Sequence, residues 1–316
     1  MPLNTFSCLL PLIAGLITTT AQADDLYIID THTHFKGKEQ IKRQIERGQK
    51  VDPKNTLTQM VTPEDYRELA DRLHIGATLV VEAIDHPDID LNAWIFKQAK
   101  KSNLVCGYVA RENLSDPQFA ERYETWKATG YLNGFRFRRE ELTGYLKDEL
   151  ARENITRLAK DGMVVDLLIT LDQHKDALQL ATDYPDLKIV INHAYGARMI
   201  DGEINDEWLK AVAEAGQHSK IHMKISSILN FAGTPKPAPT DLEHYLPVLN
   251  HCYDSFGEDR VIFGTNWGVC THWGSVDVVV RIVEEFLASK GENVTRKAMR
   301  DNAMRVYGIS PEKVRN

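Results

Sequence analysis

From residue 26 onward, short β-branched runs alternate with longer stretches of helical periodicity. The strand-like runs are Leu26–His34, Ala77–Ile84, Leu104–Arg111, Leu132–Arg139, Met163–Thr170, Leu187–His193, Lys220–Ser226 and Arg260–Asn266. Helices are predicted between them, over 63–74, 90–102, 116–129, 146–160, 172–183, 205–217, 241–255 and 275–290. Thr62-Pro63-Glu64-Asp65 supplies an N-cap, a proline at the first helical position and acids in the first turn. Thr240-Asp241-Leu242-Glu243 has the spacing of a capping box. Eight β–α units with no change of composition predict a single-domain α/β fold, a (β/α)8 TIM barrel over 24–316. An open doubly wound sheet is the alternative, but no Gly-x-Gly-x-x-Gly follows any strand.

The chain has 316 residues, 43% hydrophobic and 26% charged, which excludes disordered and fibrous classes. A net charge of −7 argues against nucleic acid or an anionic membrane as the main partner. Four cysteines are too few for a disulfide scaffold; Cys106, Cys252 and Cys270 are read as unpaired or buried thiols. Residues 1–23 have the layout of a secretory signal: apolar Phe6–Ile17, then Ala21-Gln22-Ala23 before two aspartates. No Lys or Arg precedes the run, and a buried N-terminal strand is the alternative. Cleavage after Ala23 implies a periplasmic or extracellular protein with no stable membrane insertion.

In a TIM barrel, chemistry sits where the strands end. Period-2 alternation puts Asp30, His32 and His34 on one face at the end of the first strand, and two imidazoles there can grip a divalent metal or an anionic oxygen. Arg136 and Arg138 share a face of the fourth strand, with Phe135 and Phe137 turned outward. A guanidinium inside a barrel anchors substrate or pairs internally, here with Glu82 or Asp166. His193 closes the sixth strand; Lys224 interrupts the seventh, while His222 lies deeper and reads as structural. Glu82 ends the second strand and Asn266 the eighth. Beyond it, Trp267 and Trp273 are candidates for stacking on a sugar ring, and Cys270 and His272 are weaker candidates for ligands. The segment 36–54 carries seven Lys or Arg against three acids, either to steer an anionic substrate or as a solvated insertion helix.

Taken in order, Asp30-Thr31-His32-Thr33-His34, Gly134-Phe135-Arg136, Val190-Ile191-Asn192-His193, His222-Met223-Lys224-Ile225-Ser226, the run Phe256–Trp267 and the tail Asp301–Gly308 resemble the amidohydrolase superfamily. The resemblance is to its amidohydrolase-related branch of TIM-barrel metal-dependent hydrolases, similar to fuconolactonase-type sugar lactonases. It implies water attack on the carbonyl of a sugar-acid lactone, an anionic or polyhydroxylated small molecule. His32 and His34 would polarise that carbonyl, with one zinc or manganese ion or with none, while Arg136, Arg138, Lys224 and Trp267 contact the substrate. The sequence departs from the family twice. Strand five carries no histidine, His174 lying beyond it. Strand eight ends in Asn266 where the family has a proton-accepting aspartate, and an amide has no basic lone pair. The base must then come from elsewhere: Glu82 first, His193 second. A decarboxylase of the same superfamily, or a sugar-acid-binding barrel without catalysis, are the alternatives.

Overall fold

The computed structural model describes residues 27–52, 56–83, 89–200, 203–231 and 233–314. The signal-like segment 1–23 lies outside the described residues. All eight expected strands are present, most of them trimmed at their ends and the second starting two residues early: β1 (Ile28–Thr33), β2 (Ile75–Val81), β3 (Val105–Ala110), β4 (Leu132–Arg138), β5 (Val164–Leu168), β6 (Lys188–Ile191), β7 (Ile221–Ile225) and β8 (Val261–Phe263). Each pairs in parallel with the next. The two ends of the sheet meet where Thr33 bridges Trp267 and the Thr31 hydroxyl donates to the Phe263 carbonyl at 2.5 Å. The fold is the (β/α)8 barrel that the alternation predicts.

Helices cover the outside within a few residues of their expected bounds. At Thr62 the Asp65 carboxylate accepts from both the backbone N–H and the hydroxyl at 2.7 Å, so the cap forms as read. The other expected cap does not open its helix. Leu242–His244 is a 3₁₀ turn, and the α-helix runs Leu246–Phe256 with Pro247 in its first turn. Basic segment 36–54 contains the helix Lys38–Glu46, which buries Gln40 and Gln44 and leaves Ile45 exposed.

Two apolar layers result. Phe135 and Phe137 point outward as expected, against Phe119, Tyr123 and Tyr145 of the surrounding helices. Inside, Ile29, Leu79, Val109, Val164, Val190 and Ile262 pack together with Val306 and Tyr307 of the closing helix Asn302–Tyr307. The three cysteines are free and buried, as the sequence suggests.

Candidate active site

The site is built on left-handed backbone at three strand ends. Six non-glycine residues have positive φ among the described residues, and five of them, His193, Ala194, Tyr195, Ser227 and Asn266, follow β6, β7 and β8. Each such residue costs about 1–2 kcal/mol, so the surrounding contacts must hold it there. At β8, Gly264 lets the backbone pass the site: a Cβ added there would lie 2.8 Å from the Cβ of His32.

His32, His34 and His193 come together, with the His32 ring centroid 5.0 Å from that of His34 and 4.5 Å from that of His193. Asp30 does not join them. The register steps between Asp30 and Thr33, and the Asp30 carboxylate instead accepts from Tyr66 Oη at 2.7 Å and from the Thr265 amide and hydroxyl at 2.8 and 2.5 Å. It also accepts from the His32 amide at 3.0 Å, so it fixes the backbone that carries the histidine.

Burial, reinforced by nearby cations, holds the imidazoles neutral. His32 and His193 are pushed well below the usual histidine range, and His34 falls to about 3. A neutral ring has one proton and one lone pair, which assigns each nitrogen. His34 Nδ1 lies 2.9 Å from the Val81 carbonyl and must donate there. Its Nε2 lone pair faces the Asn266 amide, with Oδ1 at 3.1 Å, while Asn266 Nδ2 lies 2.6 Å from Ser227 Oγ. The amide satisfies that lone pair only when turned over to present its N–H. His193 Nδ1 donates to Ser226 Oγ at 2.9 Å, and its Nε2 accepts from Arg136 Nη2 at 3.2 Å. His32 alone is left over: neither ring nitrogen has a partner, although the residue is fully buried.

Arg136 is 4% exposed, and burial lowers its pKa to about 10, so it remains a cation. Its ion pair with Glu82 is long, at 3.6 Å, and its Nε has no partner. The reason is Arg138, which takes both Glu82 oxygens at 2.8 Å, with Nε at 3.0 Å from Oε1. The internal pairing weighed for these residues is therefore present. Lys224 is buried against Asp166 at 2.8 Å and the Thr31 carbonyl at 3.0 Å. Asp166 also accepts from Tyr307 Oη at 2.7 Å and Asn192 Nδ2 at 2.9 Å.

Some expected contacts do not reach the site. Trp267 is 6% exposed and packs between Tyr66 and Phe35, with centroids at 4.8 and 5.7 Å, so its ring faces are covered and cannot stack on a ligand. Cys270 is fully buried. His222 is bound to backbone carbonyls of Ile189 and Lys220 below the site, as expected. His174 opens the helix His174–Asp183, with its ring between Tyr195 and Glu214. Sequence reasoning missed the supports: Tyr66, Thr265, Ser227 and Tyr307. Only Ser227 had a signal, as a polar residue directly after a strand.

A divalent ion held by this chain would need about three ligands with free lone pairs. Both nitrogens of His34 and of His193 are occupied, Arg136 places a cation among the rings, and no group of three His, Cys, Asp or Glu among the described residues is arranged to hold an ion. The residues present do not fit a metal.

A polar cluster of histidine, arginine and lysine at the strand-end mouth of a (β/α)8 barrel defines a class of small-molecule enzyme. The amidohydrolase family model matches residues 29–309, so the chain belongs to the amidohydrolase family, a family of hydrolases. The chain is 26% identical over 265 residues to the L-fucono-1,5-lactonase of Burkholderia multivorans, covering 79% of this chain and 88% of that protein. The L-fucono-1,5-lactonase of Burkholderia ambifaria is 25% identical over 246 residues, 76% of this chain and 80% of that one. A crystal structure of an amidohydrolase from Burkholderia multivorans with bound zinc superposes with a TM-score of 0.77 at 23% identity, covering 90% of this chain and 99% of that one.

Proposed function

We propose that the protein hydrolyses the cyclic ester of a sugar acid. The observation that carries this reading is the pair of unsatisfied groups at the barrel mouth: His32, with two free ring nitrogens, beside Arg136, with a free Nε. Buried donors without partners are costly; a lactone carbonyl placed between them would satisfy both. The relatives named as sugar lactonases support the same substrate class.

The geometry suggests the following course. The neutral His32 ring and the Arg136 guanidinium point donors at the carbonyl oxygen, where negative charge develops in the tetrahedral state. As the Arg136 guanidinium turns to that oxygen, Nη2 releases His193 Nε2, whose lone pair takes the proton of the attacking water. Collapse of the tetrahedral state then breaks the ring C–O bond, and His193 returns that proton to the departing alkoxide oxygen. Ser226 keeps the other His193 nitrogen protonated, so the ring is aimed before water arrives. Glu82, the first candidate for the base, is the counter-ion of Arg138 and Arg136, and Lys224 shapes the barrel centre with Asp166. Asn266 orients His34. Zinc in the similar structure belongs to that protein; here the chain's own cations bear the charge, and no step passes through a metal. Export to the periplasm or beyond, with cleavage after Ala23, is part of this proposal and rests on the signal-like segment.

The test is a pH-controlled proton-release screen over aldonolactones, with and without a chelator. Turnover that persists with the chelator, and is lost in Arg136→Met and His193→Asn, is the expected result. Carbon dioxide release from unsaturated or aromatic acids, without lactone opening, would move the protein to the decarboxylases.

A further inference from the structure

Four consecutive residues after β6, from His193 to Gly196, have positive φ, a complete left-handed turn of which only the last residue is glycine. L-residues adopt this backbone singly, not in runs, so the turn exists because its surroundings impose it. Two contacts from neighbouring helices do so. Trp208 Nε1 donates to the Ala194 carbonyl at 3.0 Å. The Tyr195 hydroxyl lies 2.9 Å from His174 Nδ1, and His174 Nε2 lies 2.8 Å from Glu214 Oε2. A carboxylate only accepts, so His174 donates from Nε2, and in the neutral ring its Nδ1 accepts from Tyr195. Tyr195 is 1% exposed and its hydroxyl is taken up by His174, so it is no reactant.

We infer that Glu214, His174 and Tyr195 form a positioning relay: they lock the left-handed turn and so aim His193 at Arg136 and His32. This rests on the reading of His193 as part of the active site. It also gives His174 a place. The histidine absent from the end of β5 is replaced by one that steers the β6 histidine from behind, through two residues of backbone.

The relay predicts how His193 behaves with no substrate present. In the wild type its ring is fixed as the Nδ1–H form by Ser226 and Arg136, and ¹⁵N NMR should show one protonated and one bare nitrogen. Tyr195→Phe and His174→Leu release the turn; both His193 nitrogens should then move toward the averaged position of exchanging forms. With an active lactone, kcat should fall on the order of 10- to 100-fold while KM stays within about threefold, since aim is lost rather than binding. His174→Gln can still accept from Tyr195 and donate to Glu214, and should restore both readouts in part. If the buried substitutions fail to fold, Glu214→Leu at a half-exposed side chain keeps the test alive. It removes the acceptor that fixes His174, and the His193 signals should broaden or shift. Unchanged His193 nitrogens in the folded variants overturn the relay, as does a loss of kcat with those signals intact. A wild type that opens no lactone sinks the functional reading alone, because the ring spectra need no substrate.

Discussion

At the scale of single residues, Asn266 decides the character of the site. Its left-handed backbone places a neutral amide against His34, where a carboxylate would pull a proton or an ion toward the ring. Asn266→Asp should therefore make a metal site. With its free His32 neighbour, the variant should retain about one zinc per chain through gel filtration, whereas the wild type emerges without stoichiometric metal; elemental analysis decides. A variant that stays metal-free would show that the amide is not what keeps ions out. Glu82 has the opposite character, a fully buried anion holding two guanidiniums. Glu82→Gln leaves both cations without a full counter-charge and should cost on the order of 3–5 kcal/mol. A melting temperature within error of the wild type would contradict that role. His32, His34, Arg136 and His193 could be placed from strand ends alone, because alternation and barrel topology set them. Trp267 could not: its position in sequence is right for a ligand contact, but Tyr66 and Phe35, from segments far away, cover its ring. Asp30 was misplaced for a related reason, since a register step in β1 is invisible to a period of two.

At the scale of elements, the closing helix is more than a lid on the bottom of the barrel. Tyr307 extends from it to Asp166, and the Asn133 amide of β4 donates to the Tyr307 carbonyl at 2.9 Å. Lys224 has its ammonium 5.0 Å from the Tyr307 ring centroid as well as against Asp166. Tyr307→Phe removes one donor from a buried carboxylate and should cost about 1–3 kcal/mol, read as a lower denaturation midpoint at unchanged slope. The tail motif Asp301–Gly308 announces such a helix, but nothing local in it says that a tyrosine reaches a carboxylate 141 residues earlier. The helix from Leu246 shows the converse error. Thr240 and Glu243 have capping spacing, yet Pro247 is compatible only with a helix that begins beside it, and the proline prevails.

At the scale of the whole molecule, three buried histidines and the half-buried His193 set the response to acid. His32, His34, His193 and His222 are all lowered by burial, His34 to about 3 and His222 to about 4. An unfolded histidine binds its proton near pH 6.5, while the folded rings refuse it. Stability is thus fully present above pH 6.5 and is lost as pH falls below it, by about 1.4 kcal/mol per pH unit for each such ring. Thermal melts from pH 8 to pH 4 should be flat at first and then fall more steeply than one histidine allows. A profile flat down to pH 5 would mean that these rings are protonated in the folded protein.

The contact between Tyr307 and Asp166 also bears on how the protein is made. When Asp166 and Lys224 have left the ribosome, the residue that completes their setting is still untranslated. The barrel centre then holds an acid and a base without their tyrosine, under strands whose edges are open to other chains. Final closure must wait until Tyr307 itself has emerged. A premature stop just before Tyr307 would therefore yield an aggregation-prone chain, not a slightly shortened enzyme.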